Sequence, residues 1–95
     1  MSSDYILEAE LADLQYNEAY TRSISSVLKT LRKRNGISQA LAAEFLNINQ
    51  GSYSRIESGI TKISAIQFFK IAAFFDMEAS ALARLVETVA GSQKP

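Results

Sequence analysis

The 95-residue sequence contains no cysteine and no histidine, and both absences narrow the chemistry that it can carry. Without cysteine there is no disulfide and no thiolate metal site, and without histidine only carboxylates remain as side-chain metal ligands. The most common general base of enzymes is missing as well, and Glu8 and Glu10 are spaced so that they do not face one another on a helix. We therefore predict that the protein is not an enzyme, has no metal site and needs no cofactor.

Long apolar runs are also absent. No stretch approaches the roughly 18 apolar residues of a membrane span. The first residues, Met1-Ser2-Ser3-Asp4, do not form the basic segment followed by an apolar one that is typical of a secretory leader. These observations predict a cytoplasmic protein with no membrane partner.

Helix breakers are rare, since Pro95 is the only proline and there are four glycines. Apolar residues recur at i, i+3 and i+4 throughout, which predicts an all-α protein of one domain. The predicted helices cover residues 4–16, 21–35, 38–46, 49–58, 64–75 and 78–90. We divide the chain into an accessory helix (1–20), a main domain ending in a dimerisation helix (21–90) and a disordered tail (91–95).

The net charge is zero, but the charges are unevenly distributed. Residues 1–22 carry five acidic side chains against Arg22 alone, a balance of −4. Residues 23–64 carry six basic side chains against two acidic ones, a balance of +4. A basic middle is where a surface that contacts phosphates is expected.

Residues 38–57 have the outline of a helix-turn-helix. Ser38 and Asn49 are suited to cap two short helices, and Asn47 tolerates the left-handed backbone of a tight turn. Gly59 would end the second helix. Two short capped helices behind a basic helix end are typical of this DNA-binding motif.

Three stretches resemble the Cro/C1-type (XRE) helix-turn-helix family: Leu31-Arg32-Lys33-Arg34-Asn35-Gly36-Ile37-Ser38-Gln39, the run from Ala42-Ala43 to Leu46-Asn47-Ile48-Asn49, and Tyr53-Ser54-Arg55-Ile56-Glu57-Ser58-Gly59. The resemblance spans about residues 24–82. It implies a five-helix, lambda-repressor-like DNA-binding domain, to which this chain adds an N-terminal helix. It also implies a homodimeric, sequence-specific regulator, predicted to be a repressor, that places helix 50–57 in the major groove of a pseudo-palindromic operator.

The expected site residues fall into three groups. Glutamine and arginine side chains can pair bidentately with adenine and guanine, and the predicted base-contacting residues are Gln50, Gly51, Ser52 and Arg55. Those that match backbone contacts are Gln39, Asn49, Ser54, Thr61 and Lys62, with Gln39 at a helix start that favours an anion. The resemblance further implies a structural salt bridge between Arg32 and Glu57.

Several residues depart from the family pattern. Gly51 supplies no side chain in the first turn of the reading helix and lowers helix stability there. Tyr53 stands where a small aliphatic residue is usual, so its ring is expected to pack while its hydroxyl finds a partner. Extra apolar residues also call for a cover, which we expect from the N-terminal helix packing on the domain or from a second subunit. These residues are Leu41, Phe45, Ile66, Phe69 and Phe74.

We predict that the last helix forms a homodimer interface through Leu82, Leu85, Val86 and Val89, although the same residues can instead close the core of a single chain. A second function also stays open. The chain can be a protein-interaction module, such as an antitoxin or anti-regulator, that captures a partner through its N-terminal helix. Zero net charge and Gly51 favour that alternative, whereas Gln39, Gln50, Arg55 and Lys62 favour double-stranded DNA.

Overall fold

The computed structural model describes the backbone of residues 3–92 and the side chains of residues 7, 8, 10, 11 and 17–92. Within that part of the chain there are five helices and no strand, which confirms the all-α prediction. The helices are α1 (Ser3–Arg34), α2 (Gln39–Phe45), α3 (Gln50–Glu57), α4 (Ala65–Phe74) and α5 (Ala79–Ser92). No helix in the described part is both long enough and apolar enough to cross a membrane.

The two helices predicted for residues 4–16 and 21–35 are one continuous helix, α1, so the expected division at residue 20 falls inside it. Residues 17–20 contain neither proline nor glycine, and nothing there interrupts the hydrogen-bond ladder. A 32-residue helix is about 48 Å long, and the molecule measures 50 × 25 × 22 Å. α1 therefore spans the whole long dimension.

The N-terminal half of α1 does not fold back on the domain, contrary to the expected packing. Leu7 and Leu11 are 54% and 49% exposed. Among the described side chains of α1, the first that packs against the core is Tyr20. The third leucine of the predicted stripe, Leu14, lies outside the described side chains.

The core forms where α1, α3, α4 and α5 meet the short α2. Its buried residues are Val27, Leu28, Ala42, Ala43, Leu46, Tyr53, Ile56, Ile71, Ala72, Leu82 and Val86. Two buried serines of α1 also link helices, because the Ser23 hydroxyl donates to the Val86 carbonyl and the Ser25 hydroxyl lies 2.9 Å from the Ile56 carbonyl. Side-chain hydrogen bonds thus link α1 to both α5 and α3.

α5 contributes two of its four predicted interface residues to this core. Leu82 and Val86 are buried within the single chain, and Val89 is half-buried against the core. Leu85 alone of the four is exposed. The helix also continues through Gly91 and Ser92, the first two residues of the predicted tail, and the rest of that tail lies outside the described residues.

The extra apolar residues of α2 and α4 divide into two groups. The rings of Phe45 and Phe74 pack with their centroids 4.5 Å apart in a contact between α2 and α4, although Phe45 is still 42% exposed. Leu41, Ile66 and Phe69 remain exposed large side chains. No residue of the described chain covers them.

Candidate nucleic-acid interface

The α2–turn–α3 unit is built by the local signals expected from the sequence. The Ser38 hydroxyl accepts from the Leu41 N–H at 3.1 Å, and the Asn49 Oδ1 accepts from the Ser52 N–H at 2.7 Å. Asn47 has a φ of 58°, the left-handed conformation that asparagine tolerates. The predicted caps and turn are confirmed, and they fix the direction in which α3 leaves the turn.

Gly59 ends the unit at a position that only glycine fits well. Its φ is 81°, and an added Cβ would lie 3.3 Å from the Ser25 hydroxyl oxygen. The loop that follows is held to α3, because the N–H groups of Ile60 and Thr61 both donate to the Arg55 carbonyl. Thr61 and Lys62, two of the expected backbone contacts, are exposed on this loop.

α3 has one buried side and one exposed side. Tyr53, Ile56 and Glu57 are buried. Gln50, Gly51, Ser54 and Arg55 are exposed, and Ser52 is half-buried. Residues spaced by four on a helix share a face, so Gln50 with Ser54, and Gly51 with Arg55, form one continuous polar surface.

The buried side of α3 is fixed by an ion pair between Arg32 of α1 and Glu57. The Arg32 Nε and Nη2 donate to the two carboxylate oxygens at 2.8 and 2.7 Å, which is bidentate pairing. The remaining Nη1 donates to the Ile37 carbonyl at 2.9 Å. One guanidinium therefore joins α1, the α1–α2 connection and α3, and their relative positions depend on it.

Gln39 also reaches this pair. Its Nε2 donates to the Glu57 Oε1 at 3.4 Å, near the long end of hydrogen-bond distances. The side chain is half-buried, and an amide nitrogen has two protons. Gln39 therefore keeps donor capacity for an external oxygen while Glu57 orients its amide.

The ion pair also determines the charge states at the site. Burial raises the pKa of Glu57, but Arg32, followed by the neighbouring Tyr53 hydroxyl and by Gln39, outweighs it and brings the pKa below its ordinary value. Hydrogen bonding to Glu57 raises the pKa of Arg32. Both groups are therefore charged at neutral pH, and the buried charges neutralise each other rather than attracting or repelling DNA.

The Tyr53 side chain packs as predicted, but its hydroxyl does not find the expected partner. The residue is 1% exposed. Its hydroxyl is buried beside Arg32 and Glu57 without a hydrogen bond of normal geometry to any described residue, and burial, followed by the neighbouring Glu57 carboxylate, raises its pKa strongly. The ring fills the space under α3, while the oxygen is an unsatisfied polar atom.

Tyr53→Phe is accordingly expected to leave the free energy of unfolding unchanged or to raise it by up to about 1–2 kcal/mol, because it removes a buried polar atom that forms no hydrogen bond. Urea unfolding of both proteins measures the change. A loss above about 1 kcal/mol would mean that the hydroxyl forms a stabilising hydrogen bond in solution.

Ser23 and Ser25 are the structural residues that the sequence analysis missed. Both hydroxyls are buried and bind carbonyl groups of other helices. The available signal was their position beside the inward residues Ile24, Val27 and Leu28, since serine on an inward face usually bonds a carbonyl. Their partners, however, lie far along the chain.

A sequence profile of the helix-turn-helix family HTH_3 matches residues 28–82, which is more than half of the chain. No curated protein sequence matches at a significant level. Two solved structures are similar in fold. The clp gene regulator ClgR from Corynebacterium glutamicum has a TM-score of 0.72 at 15% identity, over 78% of this chain and 79% of its own.

The second is an HTH_3 family transcriptional regulator from Vibrio cholerae, with a TM-score of 0.64 and 25% identity. The match covers 76% of this chain but only 41% of that one, so the present chain corresponds to a part of it. The profile match includes α2, the turn and α3, the elements that carry the exposed polar surface. The chain belongs to the XRE-type helix-turn-helix family, and it is a DNA-binding transcriptional regulator and not an enzyme.

Proposed function

We propose that the protein is a cytoplasmic repressor that places α3 in the major groove of a specific operator. The observation that carries this proposal is the exposed polar surface of α3, which ends in Arg55 and begins with Gln50. Arginine can read guanine and glutamine can read adenine through paired hydrogen bonds at base edges. Gly51 and Ser52 complete the proposed base-contacting set, with Ser52 at the margin because it is half-buried.

The proposed backbone contacts surround this surface. Thr61 and Lys62 are on the loop held by the Arg55 carbonyl, so they move with α3. Gln39 retains a donor at the start of α2, and Ser54 is exposed on α3. Asn49 uses its side-chain oxygen in the cap, which leaves its amide protons for a phosphate.

Gly51 supports close approach between α3 and DNA. Its backbone is helical, and the nearest atom to an added Cβ would be the Asn49 Oδ1 at 3.4 Å, an ordinary contact. Nothing in the described protein therefore requires glycine at this position. Glycine lowers helix stability, so its presence on the exposed surface of α3 indicates that it serves binding to a partner rather than stability.

Gly51→Ala is thus expected to raise the free energy of unfolding by about 0.5–1 kcal/mol while weakening operator binding. Thermal unfolding and titration of a fluorescent operator duplex measure the two effects. Gly91→Ala, also exposed and in a helix with nothing near an added Cβ, is the matched control for stability alone. Unchanged operator affinity in Gly51→Ala would show that α3 does not need glycine at this position to approach DNA closely.

Selection of bound sequences from random duplex DNA tests the proposed function directly. We expect a two-fold symmetric motif with half-sites about 34–36 Å apart, since a dimer presents two copies of α3 one helical turn apart. Operator binding should also depend on salt, with a slope in log affinity of about −0.9 per phosphate neutralised. Lys62→Ala should reduce the magnitude of that slope by about 1.

The alternative of a protein-interaction module is favoured by the exposed Leu7 and Leu11 and by zero net charge. It predicts that no sequence is enriched from random duplexes. It further predicts that affinity for any duplex stays weak, with Lys62→Ala unchanged from wild type. That combined result would overturn the repressor proposal in favour of the alternative.

A further inference from the structure

Among the exposed apolar side chains of the described residues are those of two helix faces, which no described residue covers. The first is on the arm, which we define as residues 3–16 of α1, where Leu7 and Leu11 are exposed one helical turn apart. The second is the α4 stripe, which we define as Ile66, Phe69 and Ala73. Ile66 and Phe69 are 69% and 62% exposed, and Ala73 is exposed as well.

Both surfaces have the spacing of a helix-packing seam. Leu7 and Leu11 are four residues apart, and the sequence continues with Leu14 three residues later. Ile66, Phe69 and Ala73 follow one another at three and then four residues. Alternating steps of three and four are the pattern by which two helices pack side by side.

The arm cannot reach the stripe of its own chain. It continues the axis of α1, which spans the 50 Å length of the molecule, so it projects away from the core. Bringing it back would require breaking α1, and its middle, residues 17–20, contains no breaker. The cover for each surface must therefore come from another molecule.

Charge selects the partner of the arm. The sequence of the arm has four carboxylates and no cation, and Glu8 and Glu10 flank the leucine face. Two arms packed together would place these carboxylates against one another, which is unfavourable at the flanking positions of a seam. The α4 stripe is flanked by the exposed Lys70 and has no acidic residue within α4, so its charge is complementary.

We infer that the arm of one copy packs on the α4 stripe of a second copy, with Glu10 or Glu8 near Lys70, and that the exchange is reciprocal. The self-complementary pairing of two unlike patches on each copy is the arrangement of a two-fold dimer. It replaces the α5 interface expected from the sequence, since Leu82 and Val86 are buried in the single chain. The inference does not depend on whether the protein binds DNA.

Analytical ultracentrifugation of the full chain without DNA tests the inference. Wild type is expected to dimerise in the micromolar range. Leu11→Asp on the arm and Phe69→Asp on the stripe should each weaken the dimer by about 30-fold or more, because each places a charge at the centre of an apolar contact. Both positions are exposed, so the helix content of both variants should match wild type, as should their melting temperatures at concentrations where all three proteins are monomeric.

Mixing the two variants gives the sharper result. A dimer of Leu11→Asp with Phe69→Asp retains one intact contact, between the unaltered arm of the second variant and the unaltered stripe of the first. An equimolar mixture is therefore expected to associate more strongly than either variant alone. A charge exchange provides an independent check, because Glu10→Lys and Lys70→Glu should each weaken the dimer and the double variant should recover it.

Four results would overturn the inference. A wild type that stays monomeric throughout the micromolar range would exclude a second copy, and the arm would then be left for a different protein. Loss of the dimer in Leu11→Asp only would indicate arm–arm pairing, and loss in Phe69→Asp only would indicate pairing of two stripes. Failure of the mixture to recover would exclude the reciprocal arrangement, while the contact of α3 with bases is tested separately by the Arg55 and Lys62 variants.

Discussion

Replacing Arg32 with methionine is expected to lower the free energy of unfolding by about 3–5 kcal/mol, because it leaves the Glu57 carboxylate buried without its partner. The side chains of Arg32 and Glu57 are 12% and 3% exposed, so water cannot take the place of the guanidinium. The total stability of a domain is roughly 5–15 kcal/mol. Urea unfolding should therefore show a large shift of the midpoint.

Two control variants separate burial from charge. Arg22→Met removes the other described ion pair, with Glu18, whose side chains are 60% and 68% exposed at 3.9 Å. Its expected effect is below about 1 kcal/mol, because exposed pairs are screened by water. The double variant Arg32→Met/Glu57→Met removes both buried charges and should recover most of the loss.

Equal losses in Arg32→Met and Arg22→Met would contradict this account, because they would show that burial has no effect on the strength of the pair. A double variant no more stable than Arg32→Met alone would assign the loss to the Ile37 carbonyl. The Ile37 carbonyl loses its hydrogen bond from Arg32 in the single variant Arg32→Met and in the double variant alike. The comparison thus separates the pairing of Arg32 with Glu57 from its hydrogen bond to the Ile37 carbonyl.

Arg55→Ala is expected to reduce affinity for the selected operator by about 1–3 kcal/mol, the contribution of one bidentate contact to guanine. Binding to an unrelated duplex should decrease only by the loss of one positive charge. The sequence preference should relax at one base pair in each half-site. Competition titrations with point-substituted operators measure that relaxation.

Arg84→Ala is the matched control, since Arg84 is equally an exposed arginine but lies on α5, outside the α2–turn–α3 unit. It changes the net charge by the same amount and should leave operator preference unaltered. Neither substitution is expected to change stability by more than about 0.5 kcal/mol, as both positions are on the surface. If Arg55→Ala and Arg84→Ala lose the same affinity for the operator and for an unrelated duplex, Arg55 does not contact a base.

The local features of the DNA-binding unit could be predicted from the sequence. Ser38 and Asn49 cap helices, and Asn47 and Gly59 adopt left-handed backbone conformations. Each depends on interactions within a few residues, between a side chain and a nearby N–H or within one φ angle. The sequence order of these signals was enough to identify the family and the polar surface of α3.

The tertiary structure decided how the elements are used. The periodicity on the two halves of α1 indicates apolar faces but does not show whether the halves are separate, and in the folded chain they form one helix. The apolar residues of α5 do not show by themselves whether they face a second subunit, and packing against α1 buries Leu82 and Val86.

Hydrogen bonds and ion pairs between distant residues explain the remaining differences between the predicted and the observed structure. Ser25 bonds Ile56, 31 residues away, and Ser23 bonds Val86, 63 residues away. The buried Tyr53 hydroxyl lies beside an ion pair formed between α1 and α3. The caps, the turn and the residue types on α3 could be read from the sequence, because they depend on neighbours along the chain. Which faces are buried and which are left exposed depends on contacts between distant segments, and these form only in the folded chain.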